Sequence, residues 1–198
     1  MVELSPDTAR LRLAYEREHG RALSMLRPLP TEEAYRRFGT FLGLLPPLAL
    51  FWRISGEAVI DALRGGSAAG NLPHWTLLLL LLMNVVCCLV GRKLGGFIGR
   101  RLGDPRSRSA TASLFVALLH GLCWGVVTGA AGGAPAFLLG AVVGVFVAVP
   151  VALAAFPVFA LLLRLLSHGG MIEARQVWPL AFGVPLTAAA LILGHWLT

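Results

Sequence analysis

Long apolar stretches alternate with short polar and basic segments along most of this chain. A helix needs about 20 consecutive apolar residues to cross the hydrocarbon core of a bilayer, and several stretches come close to that length or exceed it. The predicted spans are residues 34–54, 74–91, 111–131, 134–163 and 176–197. The pattern therefore predicts an all-α, polytopic helical membrane protein, with about five transmembrane helices bundled over residues 34–198.

The polar segment at the N-terminus, residues 1–33, precedes the first long apolar stretch. A Ser-Pro-Asp motif at residues 5–7 is typical of a helix start, and Leu11, Tyr15 and Leu26 then share one helical face. We expect an amphipathic arm on the cytoplasmic side. Such an arm either lies in the headgroup layer or docks on a partner protein.

Prolines lie inside the first and the fourth predicted spans. Pro46 and Pro47 lie near the centre of the first, and Pro150 and Pro157 lie in the fourth. Because proline lacks a backbone N–H, the sequence marks all four as helix breaks. Thirty residues of helix would be about 45 Å long, which exceeds a hydrocarbon core of about 30 Å. Span 134–163 is therefore either one kinked, tilted helix or a re-entrant piece followed by a span.

Glycines recur at every fourth position within and beside the predicted spans. Small residues at this spacing form a flat groove that lets a neighbouring helix backbone approach closely. The candidate helix-packing residues are Gly121, Gly125, Gly129, Gly133, Gly140 and Gly144, and a second series runs from Gly91 to Gly103. The sequence leaves open whether these grooves face helices of the same chain or of another subunit.

Basic residues are distributed asymmetrically about the predicted spans. Of the 17 Lys and Arg residues, all but Arg53 and Arg64 fall in segments that one topology places on the same side. By the positive-inside rule, the N-terminus is cytoplasmic and the C-terminus outside, as in a bacterial inner membrane protein. This arrangement accounts for the net charge of +7 without nucleic acid as a partner.

A cluster of cationic residues follows the second predicted span. Arg92, Lys93, Arg100 and Arg101 lie on a segment that keeps its helical glycine spacing as it leaves the apolar region. Basic residues in this position attract the phosphates of anionic lipids. We therefore expect the lipid bilayer, and its anionic headgroups in particular, among the partners of the chain.

Chemistry-bearing residues are sparse. His120 is the one ionisable residue predicted near a membrane centre, which makes it a candidate cofactor ligand. His74 and His195, both predicted at the outer surface, are a second weak candidate pair. The sequence lacks a metal-binding His spacing, paired intramembrane carboxylates, a nucleophile elbow and a phosphate-binding loop. We therefore assign no catalytic residue, no metal site and no cofactor.

Three functional hypotheses remain. The first is a non-enzymatic accessory or scaffold subunit of a larger membrane complex, based on the packing glycines, the arm and the scarcity of polar residues. Such a subunit would bind other membrane chains or associate with itself. The alternative is a small oligomeric transporter or channel that uses the proline positions together with Asn84, Thr128 and His120. The third is a haem-binding or lipid-modifying membrane enzyme that uses the histidines.

Overall fold

The computed structural model describes residues 28–63, 74–102, 109–167 and 171–194. These residues are almost entirely helical, which confirms the helical class. The elements in chain order are β1 (Pro28–Pro30), α1 (Thr31–Leu63), α2 (His74–Leu102), α3 (Ala110–Gly133), a 3₁₀ turn (Ala134–Ala136), α4 (Phe137–Leu166), β2 (Met171–Glu173) and α5 (Ala174–Gly194). Most of the predicted N-terminal arm, residues 1–27, lies outside the described part.

Three stretches among the described residues are long and apolar enough to cross a membrane. They are Leu78–Leu102, Ala110–Leu166 and Ala174–Gly194. The second stretch contains both α3 and α4, which double back on each other through the 3₁₀ turn. The structure is thus compatible with an integral membrane protein that has three candidate membrane spans.

Pairs of facing residues define how the helices run. Gly39 and Gly43 on α1 lie against Gly91 and Cys87 on α2, so that these two helices are antiparallel. Facing residues on α2 and α3, and on α3 and α4, give the same antiparallel relation. Helix α5 runs parallel to α1. The start of α1, the end of α2 and the end of α4 therefore share one end of the bundle.

We call this the cationic end, because Arg and Lys side chains from four of the helices collect there. They are Arg36, Arg37, Arg92, Lys93, Arg100, Arg101, Arg164 and Arg175. At the other end, Arg53 lies near the end of α5, and one of its guanidinium nitrogens is 3.4 Å from the Ile192 carbonyl oxygen.

Two helices extend further than the apolar stretches predict. Helix α1 continues to Leu63 rather than ending at residue 54, and α2 continues to Leu102 rather than ending at residue 91. In both cases charged residues and glycine or serine interrupt the apolar stretch, but good helix formers are present, and Gly65-Gly66 follows the end of α1. Hydropathy marks where a helix becomes polar, which need not be where its backbone hydrogen bonding stops.

The four prolines marked as helix breaks lie inside continuous helices, which corrects that description. Pro46 and Pro47 are within α1, and Pro150 and Pro157 are within α4. A proline removes its own N–H bond and loosens one turn, while packing against neighbouring helices keeps the flanking turns helical. Phe137–Leu166 is accordingly a single helix with no separate re-entrant piece.

A small sheet, absent from the sequence prediction, closes the cationic end. Strands β1 and β2 pair antiparallel, with Leu29 opposite Ile172. Ile172 is buried in the hydrophobic core, and Leu29 packs against it. The sheet ties the start of α1 to the connection between α4 and α5. Strands of three residues carry too short a pattern to be recognised from alternation.

Aromatic rings fill the core in the half of the bundle next to the cationic end. The rings of Phe38 and Phe159 stack with their centroids 4.0 Å apart, and Tyr35 meets Phe159 edge to face at 5.1 Å. Phe156 meets Phe38 edge to face at 5.2 Å. We call Tyr35, Phe38, Trp124, Phe156 and Phe159 the aromatic cluster. It joins α1 to α4 across the bundle.

Candidate functional site

A cavity of about 250 Å³ lies among helices α1 to α4, in the half of the bundle away from the cationic end. Each of the four helices contributes to its wall. The wall includes Leu42, Pro46, Pro47, Asn84, Thr128 and Val147. The wall is predominantly apolar, so any polar atom there is in a low-dielectric environment.

Close backbone contacts between α3 and α4 form one side of the cavity. A Cβ added to Gly129 would lie 2.5 Å from the carbonyl oxygen of Gly144, and one added to Gly125 would lie 2.8 Å from Cα of Val149. Gly133 and Gly140 face each other in the same way near the turn. The candidate packing glycines of α3 therefore face α4 of the same chain, which answers the question that the sequence leaves open.

A second line of close contacts joins α1 to α2. Gly39 lies against the backbone of Gly91 and Gly95, and Gly43 lies against the backbone of Cys87. A Cβ on Gly39 would overlap the Gly91 carbonyl oxygen. The cavity thus lies between two helix hairpins that are each held together by backbone contact, and it is the space that remains where the hairpins meet.

Trp124 closes the cavity towards the cationic end. Its ring lines the cavity and also lies 5.9 Å from the ring of Phe156 in the aromatic cluster. The indole Nε1 donates a hydrogen bond to the Gly91 carbonyl oxygen at 3.3 Å, so the orientation of the ring is fixed. Trp124 is therefore the floor of the cavity, and the rest of the aromatic cluster lies beyond it.

Two polar side chains at the cavity wall have unpaired atoms. Asn84 donates from Nδ2 to the Leu44 carbonyl oxygen at 3.4 Å, but its Oδ1 is buried without a hydrogen-bond partner. The Oγ1 of Thr128 is likewise buried and unpaired, while the Thr128 carbonyl oxygen accepts from Cys87 Sγ at 3.8 Å. An unpaired polar atom in an apolar interior costs about 1–3 kcal/mol. Two residues of the wall therefore carry a buried polar atom whose hydrogen-bonding capacity is unused.

The tandem prolines add backbone acceptors at the same wall. Because Pro46 and Pro47 have no N–H, the carbonyl oxygens of Leu42 and Gly43 lack the donor that an α-helix normally supplies. Leu42 and both prolines line the cavity. This wall therefore combines apolar surface with a small number of hydrogen-bonding groups, as is usual for small-molecule sites.

The structure places the candidate histidine ligand elsewhere. His120 is half-buried on α3, and its Nδ1 lies 2.7 Å from the Val116 carbonyl oxygen one turn earlier. Within the described ranges, no group of three His, Cys, Asp or Glu residues is arranged to hold a metal ion. The side chain of His74 and all of His195 lie outside the described part of the chain, so that pair has no described geometry.

The cationic residues after the second predicted span divide between two faces of α2. Arg92, Lys93 and Arg100 line a cleft of about 490 Å³ together with Arg36 from α1. The guanidinium of Arg101 instead stacks over the Phe97 ring, 4.9 Å from its centroid. The structure thus brings three of the four candidate headgroup residues together and separates the fourth.

Several residues of the site escape sequence reasoning. Gly39 and Gly43 form a Gly-x-x-x-Gly pair in the first predicted span, and that spacing is the signal that could have identified them. Arg36 carries no such signal, because its place beside α2 depends on tertiary packing.

No protein-family model, curated protein or solved structure matches this chain. The function is therefore inferred from the chemistry of the site itself.

Proposed function

We propose that the chain is an integral membrane protein of five spans with the cationic end in the cytoplasm. The alternating helix directions and the collection of Arg and Lys side chains at one end support this topology through the positive-inside rule. In this topology α1 and α5 cross the membrane in the same direction, and residues 1–27 are cytoplasmic. The candidate cavity then lies within the bilayer, in the outer half of the bundle.

Our proposed function is the binding and transport of a small amphiphilic molecule through this cavity. The supporting observation is a pair of buried, unpaired polar atoms, Asn84 Oδ1 and Thr128 Oγ1, that belong to residues lining an apolar space inside the bundle. A ligand with an apolar body and one or two hydrogen-bonding groups would complement both features.

The volume of the cavity sets the size of the ligand. A dry protein cavity of about 150 Å³ holds a benzene ring, so a cavity of about 250 Å³ fits one substituted ring or a short branched chain. Val143 belongs to the wall and is 54% exposed, which gives the cavity an opening towards the lipid-facing surface of α4. A molecule dissolved in the bilayer could enter there without crossing water.

A volume-filling substitution tests the proposal. Val147→Trp fills the cavity, whereas Val142→Trp makes the same change on the 47%-exposed, outward face of α4. The probe is p-cresol, an apolar ring with one hydroxyl, and the readout is the thermal unfolding midpoint of the full chain in detergent. We expect p-cresol to raise the midpoint of the wild type and of Val142→Trp, and to leave that of Val147→Trp unchanged. An equal response from all three would disprove binding in the cavity.

Transport is tested separately in vesicles that contain the purified chain. We expect resorcinol, a single ring with two hydroxyls that crosses lipid more slowly than p-cresol, to equilibrate faster in vesicles with Val142→Trp than in vesicles with Val147→Trp. Equal rates for the two variants would leave binding without transport.

The second candidate function is an accessory or scaffold subunit of a larger membrane complex. It is favoured by the lack of charge in the described interior, where the buried polar residues are all neutral: Thr31, Ser55, Asn84, Thr128 and Ser167. Purification from the native membrane in mild detergent tests it. Partner chains at a fixed ratio would support the subunit function, and a chain that purifies alone would count against it.

A further inference from the structure

A cationic cleft lies between α1 and α2 at the cationic end and shares no wall residue with the cavity. Arg92, Lys93 and Arg100 come from α2, and Arg36 reaches across from α1. Gly96 belongs to the wall of the cleft, and a Cβ there would lie 3.3 Å from Nε of Arg36. The missing side chain at Gly96 therefore lets the Arg36 side chain lie close to α2, beside the cations of that helix.

The described carboxylates neutralise only part of this charge. Glu32 Oε1 lies 3.1 Å from both Arg36 and Arg100, and Glu33 Oε2 lies 3.1 Å from Arg36. Among the described residues, no carboxylate forms an ion pair with Arg92 or Lys93. The cleft therefore carries net positive charge, and its most exposed cations are available to an anion.

An apolar stripe leads along α2 into the cleft. Leu78, Leu82, Val85 and Leu89 follow helical spacing on one face and are 68%, 49%, 45% and 57% exposed. Leu89 is also a wall residue of the cleft. At 1.5 Å per residue the stripe is about 16 Å long. The same face of α2 is thus apolar along this length and then cationic.

We propose that the cleft binds the phosphate of an anionic phospholipid, with one acyl chain lying along the apolar stripe. Guanidinium and ammonium groups donate charge-assisted hydrogen bonds to phosphate oxygens. The stripe is apolar and runs away from the cleft along α2, as an acyl chain would if its headgroup were bound at Arg92 and Lys93. A soluble phosphate ester would use the cleft but not the stripe. This site is independent of the ligand proposed for the cavity.

Native mass spectrometry of the full chain in detergent tests the proposal. The probes are phosphatidylglycerol, which is anionic, and phosphatidylcholine, which is neutral overall. We expect the wild type to bind phosphatidylglycerol in preference to phosphatidylcholine. This preference should fall about fivefold in each of the single variants Arg92→Gln and Lys93→Gln, because each removes one charge near the lipid. Arg101→Gln is the matched control, because it removes the same charge from another face of α2.

Three outcomes would overturn the proposal. One is the absence of any preference for phosphatidylglycerol. Another is an equal loss of preference in Arg92→Gln and Arg101→Gln, which would indicate non-specific attraction to a basic surface. The third is equal binding of glycerol phosphate and phosphatidylglycerol at the same concentration, which would identify a site for a soluble phosphate ester. The lipid site is supported if Arg101→Gln retains the preference while Arg92→Gln and Lys93→Gln lose it, and if glycerol phosphate binds weakly.

Discussion

The indole Nε1 of Trp124 donates a hydrogen bond to the carbonyl oxygen of Gly91 at the point where α3 crosses α2, with the two atoms 3.3 Å apart. On its other side, Gly91 lies against the backbone of Gly39 on α1. A Cβ at Gly91 would lie 3.0 Å from Cζ2 of Trp124 and would overlap the Gly39 carbonyl. Three helices therefore meet at one residue, and the floor of the cavity depends on that residue having no side chain.

The first prediction concerns this meeting point. Gly91→Ala should lower the free energy of unfolding by about 1–3 kcal/mol, because the added methyl group forces α1 or the Trp124 ring to move. The measurement is denaturant unfolding in detergent micelles, followed by Trp fluorescence. Gly183→Ala on α5 is the matched control, since no atom lies within 4 Å of a Cβ there. That change should leave stability unchanged or raise it by up to about 1 kcal/mol through helix propensity. A similar loss in both variants would contradict the packing.

The second prediction separates stability from binding at Thr128. Its hydroxyl is buried without a hydrogen-bond partner, so Thr128→Val removes an unpaired polar atom while nearly preserving shape. We expect the free energy of unfolding to stay the same or to rise by about 1 kcal/mol, while the response to p-cresol weakens. Unfolding and the ligand-induced shift in midpoint are measured on the same preparation. A loss of stability above about 1 kcal/mol would mean that the hydroxyl is paired within the protein.

The third prediction concerns the aromatic cluster beyond the floor of the cavity. Phe38 is fully buried between Phe156 and Phe159, and Phe38→Ala should cost about 3–5 kcal/mol through lost burial and the space left behind. Phe146→Ala removes the same ring from a position that is 76% exposed. It should cost well under half as much in detergent micelles. Comparable costs for the two variants would argue against the packing of the aromatic cluster.

The helices were predictable from sequence because hydropathy depends on local composition. Runs of about 20 apolar residues identify helices α2 to α5. They give most of the helix ends to within a few residues. The end of α2 at Leu102 was missed because charge, not a helix breaker, ends its apolar part. The pairing of β1 with β2 was missed because it joins residues far apart in the chain.

The cavity was only partly predictable for a related reason. Glycine spacing, tandem prolines and the intramembrane Asn84 and Thr128 are visible one helix at a time. Their meeting in one wall depends on the register between four helices, which single-helix patterns do not specify. His120 illustrates the converse case. Its position near a predicted membrane centre suggests a ligand, but a carbonyl oxygen of its own helix already faces its Nδ1.

The fourth prediction follows from that local contact. His120→Leu should change the free energy of unfolding by no more than about 1–2 kcal/mol, the range expected for one lost hydrogen bond offset by added apolar surface. It should leave the p-cresol response intact, because His120 is not part of the cavity wall. Thermal unfolding with and without p-cresol checks both statements. Loss of the p-cresol response in this variant would show that the site extends to His120.

The fifth prediction concerns a substitution that adds net positive charge to the cationic cleft instead of removing it. Glu32→Gln frees Arg36 and Arg100 from the carboxylate that they share at 3.1 Å. The side chains of these arginines are 38% and 59% exposed, and exposed ion pairs contribute about 0–1 kcal/mol. Stability should therefore change little. Phosphatidylglycerol binding should increase up to about fivefold, because the cleft gains one net positive charge.

Glu173→Gln supplies the control for this increase, since it removes the same charge from an exposed position on β2. Native mass spectrometry compares both variants with the wild type at one phosphatidylglycerol concentration. Because Glu173 also lies at the cationic end, a general electrostatic attraction would raise binding similarly in the two variants. A local site responds to Glu32→Gln alone, since only Glu32 is bonded to two of the cations that line the cleft. Weaker lipid binding in Glu32→Gln would instead mean that Glu32 holds the arginines in their binding positions, and the increase predicted from charge alone would then be wrong.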